Sequence, residues 1–119
     1  VEDMQDGNFE VALTRWGPDY ADPMTYLGMW VTDNSNNYGL WSNADYDAMI
    51  DECTTGDLCT DAEGRWAKMY EAEKIVMDDA VIFPLYTAAN AQMISSNVTG
   101  LEQHPVALNR VYKNVVKED

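Results

Sequence analysis

Between Phe9 and Trp16 the chain alternates: Phe9, Val11 and Leu13 fall on one side of an extended backbone, Glu10, Ala12 and Thr14 on the other. That is the period of a half-buried strand. From Ser42 the period changes, and Tyr46, Met49, Ile50 and Cys53 recur at i, i+3, i+4 and i+7, which is one face of an amphipathic helix. The spacing predicts a helix over residues 44–54 with Ser42 or Asn43 as its cap. Thr60 and Glu63 read as a capping box for a second helix over 61–78, with Trp66, Met69, Tyr70, Val76 and Met77 on its apolar face and Glu73 interrupting it. The apolar run at 81–86, VIFPLY, predicts a strand that lies at an edge or leaves the sheet at Pro84, since proline donates no ladder hydrogen bond. Residues 91–95 and 110–116 predict two further short strands.

The connections are polar. GPDYADP, residues 17–23, is a loop by composition. Asp22 and Pro23 suit the cap and first turn of a short helical stretch that follows. TDNSNNYG, residues 32–39, reads as a surface loop, and NVTGLEQHP, residues 97–105, as a turn-rich connection.

A chain of 119 residues is long enough for one hydrophobic core, and the expected core is Trp16, Trp30, Trp66, Ile50, Ile75, Ile82 and Phe83. Seven basic against 21 acidic residues leave a net charge of −14. Such a field repels a phosphate backbone, so nucleic acid is excluded as a partner, and anionic lipid surfaces are disfavoured alike. No apolar run approaches the roughly 20 residues of a membrane-spanning helix. The opening residues show no export signal. Because the chain starts at Val1 and reaches a predicted core strand by Phe9, the reading favours a piece of a longer protein.

Candidate chemistry is sparse. His104 is the single histidine, so a histidine-based metal cluster or catalytic triad lacks material, and a surface position is the simpler reading. Cys53 and Cys59 flank TTGDL. A disulfide closing that short loop is favoured over two free thiols, zinc or a redox pair, which implies an oxidising, extracytoplasmic setting. Asp45, Asp47 and Asp51 lack the glycine and glutamate of a calcium loop and fit a solvated helix face. Asn97-Val98-Thr99 matches a glycosylation sequon. Asp19 and Asp22 admit a carboxylate-dependent hydrolase. The alternative is that Asp19, at the rim of an aromatic surface beyond a strand, selects a cationic group such as an α-amine, because partial desolvation strengthens the pair. A turn-forming Asp19 and a helix-capping Asp22 would account for both residues without any ligand.

The run FEVALTRWGPDYADPMTYL, then YDAMIDE, then AKMYEAEKIVMDDAVIFPLY and a V-x-G connection at Val98–Gly100, resembles the C-terminal part of the family 5 extracellular solute-binding proteins. These are the oligopeptide-binding receptors of ABC importers, and the W-G-P-D-Y-x-D-P form looks most like those of Gram-positive bacteria, which are surface lipoproteins. The resemblance implies an α/β fold, part of a periplasmic-binding-protein type II lobe with a mixed sheet flanked by helices. Residues 1–86 would form the second half of the mobile peptide-binding lobe, and 87–119 a return segment that packs on the other lobe. It implies capture without catalysis or cofactor, an oligopeptide ligand, and permease subunits as partners. Asp19 would pair with the peptide's amino terminus, Trp16 and Gly17 would line the peptide by ring and backbone, and Tyr86 would approach the ligand. Ala88 stands where some members carry a further aromatic. The Cys53–Cys59 pair is not part of the family pattern. A segment cut this way lacks strands to flank residues 9–16, so self-association is expected.

Overall fold

A computed structural model of the protein describes residues 2–89, 91–104, 106 and 110–119. The chain divides into two compact units, Val1–Trp16 with Asp22–Phe83, and Gly17–Ala21 with Pro84–Asp119.

The first unit is helical: α1 (Glu2–Gln5), α2 (Met24–Leu27), α3 (Ala44–Thr54) and α4 (Ala62–Asp78), with 3₁₀ turns at Gly28–Trp30 and Asp57–Thr60. Helix α3 starts where its spacing predicts, because the Asn43 side-chain oxygen accepts from the Asp45 and Tyr46 amides at 3.0 and 3.1 Å. Helix α4 starts one residue later than a Thr60 cap would allow. Thr60 ends the preceding 3₁₀ turn, and Asp61 becomes the cap, accepting from the Gly64 amide at 3.2 Å. At the other end of α4, the Val81 amide donates to Val76 O and the Ala80 amide to Met77 O, both at 3.1 Å. This is a Schellman closure with alanine, at φ 53°, in the left-handed position where glycine is usual.

The core lies where α2, α3 and α4 meet: Met24 and Leu27, then Tyr46, Ile50 and Cys53, then Met69, Ala72 and Val76. Tyr46 is fully buried, its hydroxyl donates to the Leu27 carbonyl, and the Trp41 ring meets it edge-on at 5.1 Å. Burial and the neighbouring Asp47 charge push the phenol pKa up, so this donor stays neutral. Asn37, also buried, holds the 32–39 loop by donating to Trp41 O at 2.7 Å and Val31 O at 3.3 Å. Of the expected core, Ile50 is buried and Trp30, Ile75 and Ile82 pack around it, whereas Trp16, Trp66 and Phe83 are exposed. Small side chains at Cys53 and Ala72 fill the space between α3 and α4, and they leave no room for an indole.

The second unit holds two antiparallel ribbons. β1 (Val98–Thr99) pairs with β4 (Val116–Lys117), and β2 (Glu102–Gln103) with β3 (Arg110–Val111). Thus the strand expected at 110–116 is two strands separated by a turn. Gly100 has φ 73°, and a Cβ there would overlap the Asn114 carbonyl oxygen; the glycine of V-x-G is therefore required by a crossing backbone. The strands expected at 9–16, 81–86 and 91–95 form no ladder among the described residues. Their alternation encodes a face to be covered, but a strand also needs a hydrogen-bonding neighbour, and Val11 and Phe83 remain 92% and 85% exposed. For the same reason the mixed sheet is not assembled among the described residues. No helix among them is long and apolar enough to cross a membrane.

Candidate ligand-binding site

The loop from Trp16 to Pro23 leaves the helical unit and returns to it. Trp16 and Asp22 belong to that unit, while Gly17, Asp19 and Tyr86 belong to the second. Asp19 is exposed, as are Gly17 and Tyr86, and Trp16 is 40% exposed. A Cβ on Gly17 would meet no atom within 4 Å, so open space surrounds the position where the resemblance puts backbone against a peptide.

Asp22 is placed differently. Its Oδ2 lies 2.6 Å from Arg65 Nη1 and its Oδ1 3.1 Å from Nη2, a two-pronged guanidinium–carboxylate pair. Oδ1 also accepts from the Met24 amide at 2.8 Å, which is the capping role expected for this residue. The Arg65 hydrogen bond, with smaller help from the Met24 amide and the Arg65 charge, holds the carboxyl below the usual carboxylate range against the opposing effect of burial. A carboxylate kept ionised by its own arginine is not a general acid, and both Asp22 oxygens are already engaged by Arg65 and the Met24 amide, so nothing in its setting favours the Asp19/Asp22 hydrolase pairing.

Arg65 is the residue that the periodicity missed. Its Nε donates to the Cys53 carbonyl at 2.8 Å, so one side chain joins the end of α3, the start of α4 and the return of the loop. The signal was present in the spacing: Arg65, Met69, Ala72 and Val76 stand at i, i+4, i+7 and i+11, one stripe of α4. A cation opening an apolar stripe needs a partner.

The remaining candidates are structural. Cys53 and Cys59 are free, and the bond expected from their spacing is not made. Cys53 turns into the α3–α4 interface, its Sγ 3.8 Å from the Arg65 carbonyl oxygen, while Cys59 sits exposed on a 3₁₀ turn. Burial pushes the Cys53 thiol up, with the Arg65 charge working against it. Asp47 Oδ1 accepts from the Thr32 amide at 3.0 Å, and Asp51 accepts from the Thr55 hydroxyl. His104 is exposed, its Nδ1 2.7 Å from Val106 O. Asn97 donates to Glu118 O at 2.7 Å. No group of acidic, histidine or cysteine side chains among the described residues could hold a metal ion. An open groove of about 380 Å³ in the second unit is lined by residues including Met93, Ile94, Leu101, Arg110 and Tyr112, and by none of the predicted ligand residues.

No family model matches the chain. It is 32% identical over 108 residues to a dipeptide-binding protein of Lactococcus lactis, covering 91% of this chain and 20% of that one. It is 31% identical over 106 residues to the dipeptide-binding protein DppE of Bacillus subtilis, covering 89% and 19%. Among solved structures it is similar to Listeria monocytogenes OppA bound to peptide, with a TM-score of 0.81 and 31% identity over 99% of this chain and 21% of that one. The chain spans about a fifth of the length of the curated relatives it matches. That likeness makes the helices and ribbons part of the α/β lobe of a binding protein, and the relatives are named as binding proteins, not enzymes. By sequence and by fold the chain belongs to the family 5 solute-binding proteins.

Proposed function

We propose that the protein captures oligopeptides for an ABC importer and holds them by the free amino terminus, with Asp19 as the counter-ion and Trp16, Gly17 and Tyr86 lining the ligand. The observation that carries this reading is the exposure of Asp19 on the loop after Trp16, at the position where the resemblance puts the counter-ion of the peptide's amine. An exposed carboxylate attracts a cation, and main-chain recognition of the rest of a peptide tolerates many sequences. Residues 1–86 then belong to the peptide-binding lobe and 87–119 to the return segment. The setting is extracytoplasmic, as for relatives named periplasmic, with lipid anchoring and permease subunits as in the Gram-positive receptors.

Titration calorimetry of the full-length natural protein tests the reading with short peptides whose amino termini are free or acetylated. Free peptides are expected to bind and acetylated ones to bind at least about tenfold more weakly, as befits loss of one charge pair. Equal affinities, or turnover of the peptides, would count against it. For the 119-residue chain alone we also propose self-association through its uncovered extended segments, given that Val11 and Leu13 are 92% and 84% exposed. Light scattering that finds a monomer at high concentration contradicts this.

A further inference from the structure

We infer that Arg65 is a positioning residue for peptide capture: it anchors the returning end of the 17–22 loop so that the Asp19 carboxylate is presented in one place. The inference rests on the reading of Asp19 given above and adds to it a residue that touches no ligand.

The geometry is that of a three-point clamp. Nη1 and Nη2 take both oxygens of Asp22, and Nε takes the Cys53 carbonyl at the end of α3. Asp22 in turn holds the Met24 amide through Oδ1 at 2.8 Å and the Thr25 amide through its own carbonyl at 3.1 Å. Asp22 is thus joined to α2, α3 and α4 at once. Arg65 itself is shielded, with 19% of its side chain exposed, so water competes poorly for the pair. The guanidinium holds the Asp22 carboxyl below the usual carboxylate range, so at neutral pH, where a peptide amine is charged, both partners of the clamp are charged as well. Asp19 is three residues from this anchor, so its Cα stays within about 11 Å of that of Asp22. Pro18, with its fixed φ, stiffens the outgoing side of the same loop. A lysine cannot replace this arrangement, because a point charge cannot engage two carboxylate oxygens and a carbonyl in one plane.

The test compares wild type, Arg65→Met, Arg65→Lys and Asp22→Asn in the full-length protein. Two readouts are taken: amide hydrogen exchange of residues 19–25 without ligand, and calorimetry with free and acetylated peptides. The expected result is faster exchange at Met24 and Thr25 in all three variants, with slow exchange retained in α4. Binding of free peptides should weaken by about tenfold or more, since loop residues must now be ordered on binding, and acetylated peptides should change little. Asp22→Asn keeps the side-chain volume and serves if Arg65→Met fails to fold. Arg65→Lys that binds like wild type, or folded variants that keep full preference for the free amine, would overturn the positioning role while leaving the Asp19 reading in place. A wild type that binds both peptides equally would overturn both, and the exchange data would still report whether the clamp orders the loop.

Discussion

The helical unit and the ribbon unit are held together by different physics. In the first, eight apolar side chains from α2, α3 and α4 exclude water together. In the second, no described residue is fully buried, and order comes from short backbone ladders and polar links, such as the Asn114 amide on Glu102 and the Asn97 amide on Glu118 O, both at 2.7 Å. Side-chain burial scales with area and tolerates small shifts. Backbone pairing in water contributes little net stability per bond and depends on a few positions where no substitution fits. The first unit should therefore fail by losing volume, the second by losing a conformation.

The largest expected effect follows from volume. Tyr46→Ala removes the ring on which Trp41 and Leu27 rest and should cost about 3–5 kcal/mol. Denaturant melts followed by helical circular dichroism check this, and a loss below about 1 kcal/mol would mean that the three-helix contact is not the stabilising core. Next comes conformation. Gly100→Ala forces a side chain into the Asn114 carbonyl at a positive φ, with an expected cost of about 2 kcal/mol. The readout is the Glu118 amide, which donates to Asn97 O at 2.9 Å. It should exchange faster in the variant while α3 and α4 amides stay protected; equal protection would remove the claim that this glycine organises the ribbons.

That contrast also governs what was legible in the residues. Helix α3 could be read outright, since its cap, period and buried face all lie within one continuous stretch. Helix α4 was legible in length and in part of its face. Met69 and Val76, expected on the apolar stripe, are buried, whereas Trp66 and Tyr70 on the same expected stripe are exposed and Ala72 takes a core place, a choice that depends on the facing helix. Residues 9–16 carry a clear strand period and still form no ladder, because pairing is a property of two segments and alternation is written in one. In the candidate site, the loop and its acids stood out by composition. Asp22 was legible as a helix cap, but its guanidinium partner lies 43 positions away, a distance at which local pattern is silent.

Acid offers a graded way to loosen the first unit without changing its volume. The folded-state pKa of Asp22 lies below its ordinary 3.8, so the Arg65 pair contributes stability in full above that value and loses it as pH falls through the lower, folded one. Asp22→Asn should be less stable than wild type by about 1–2 kcal/mol at neutral pH, a range already reduced for partial exposure. The gap should narrow below about pH 4 and close in stronger acid. Parallel melts of the two proteins across that range isolate this carboxylate from the other acidic groups, which cancel in the difference. A gap that stays constant with pH would mean that the side chain acts through packing and its amide contacts, not through its charge.

The smallest change should raise stability, and it tests whether backbone conformation matters in the helical unit too. Ala80 follows α4 at φ 53° and closes the helix through its own amide and that of Val81. A Cβ in the left-handed region costs about 1–2 kcal/mol, whereas glycine there carries no such cost but loses more freedom on folding. The two effects oppose, and the steric one is larger at a Schellman position. Ala80→Gly should therefore stabilise the first unit by about 0.5–1 kcal/mol, seen as a higher denaturant midpoint at unchanged slope. A lower midpoint would show that α4 ends in solution without its left-handed closure, and that its last turn is held by Val76 in the core alone.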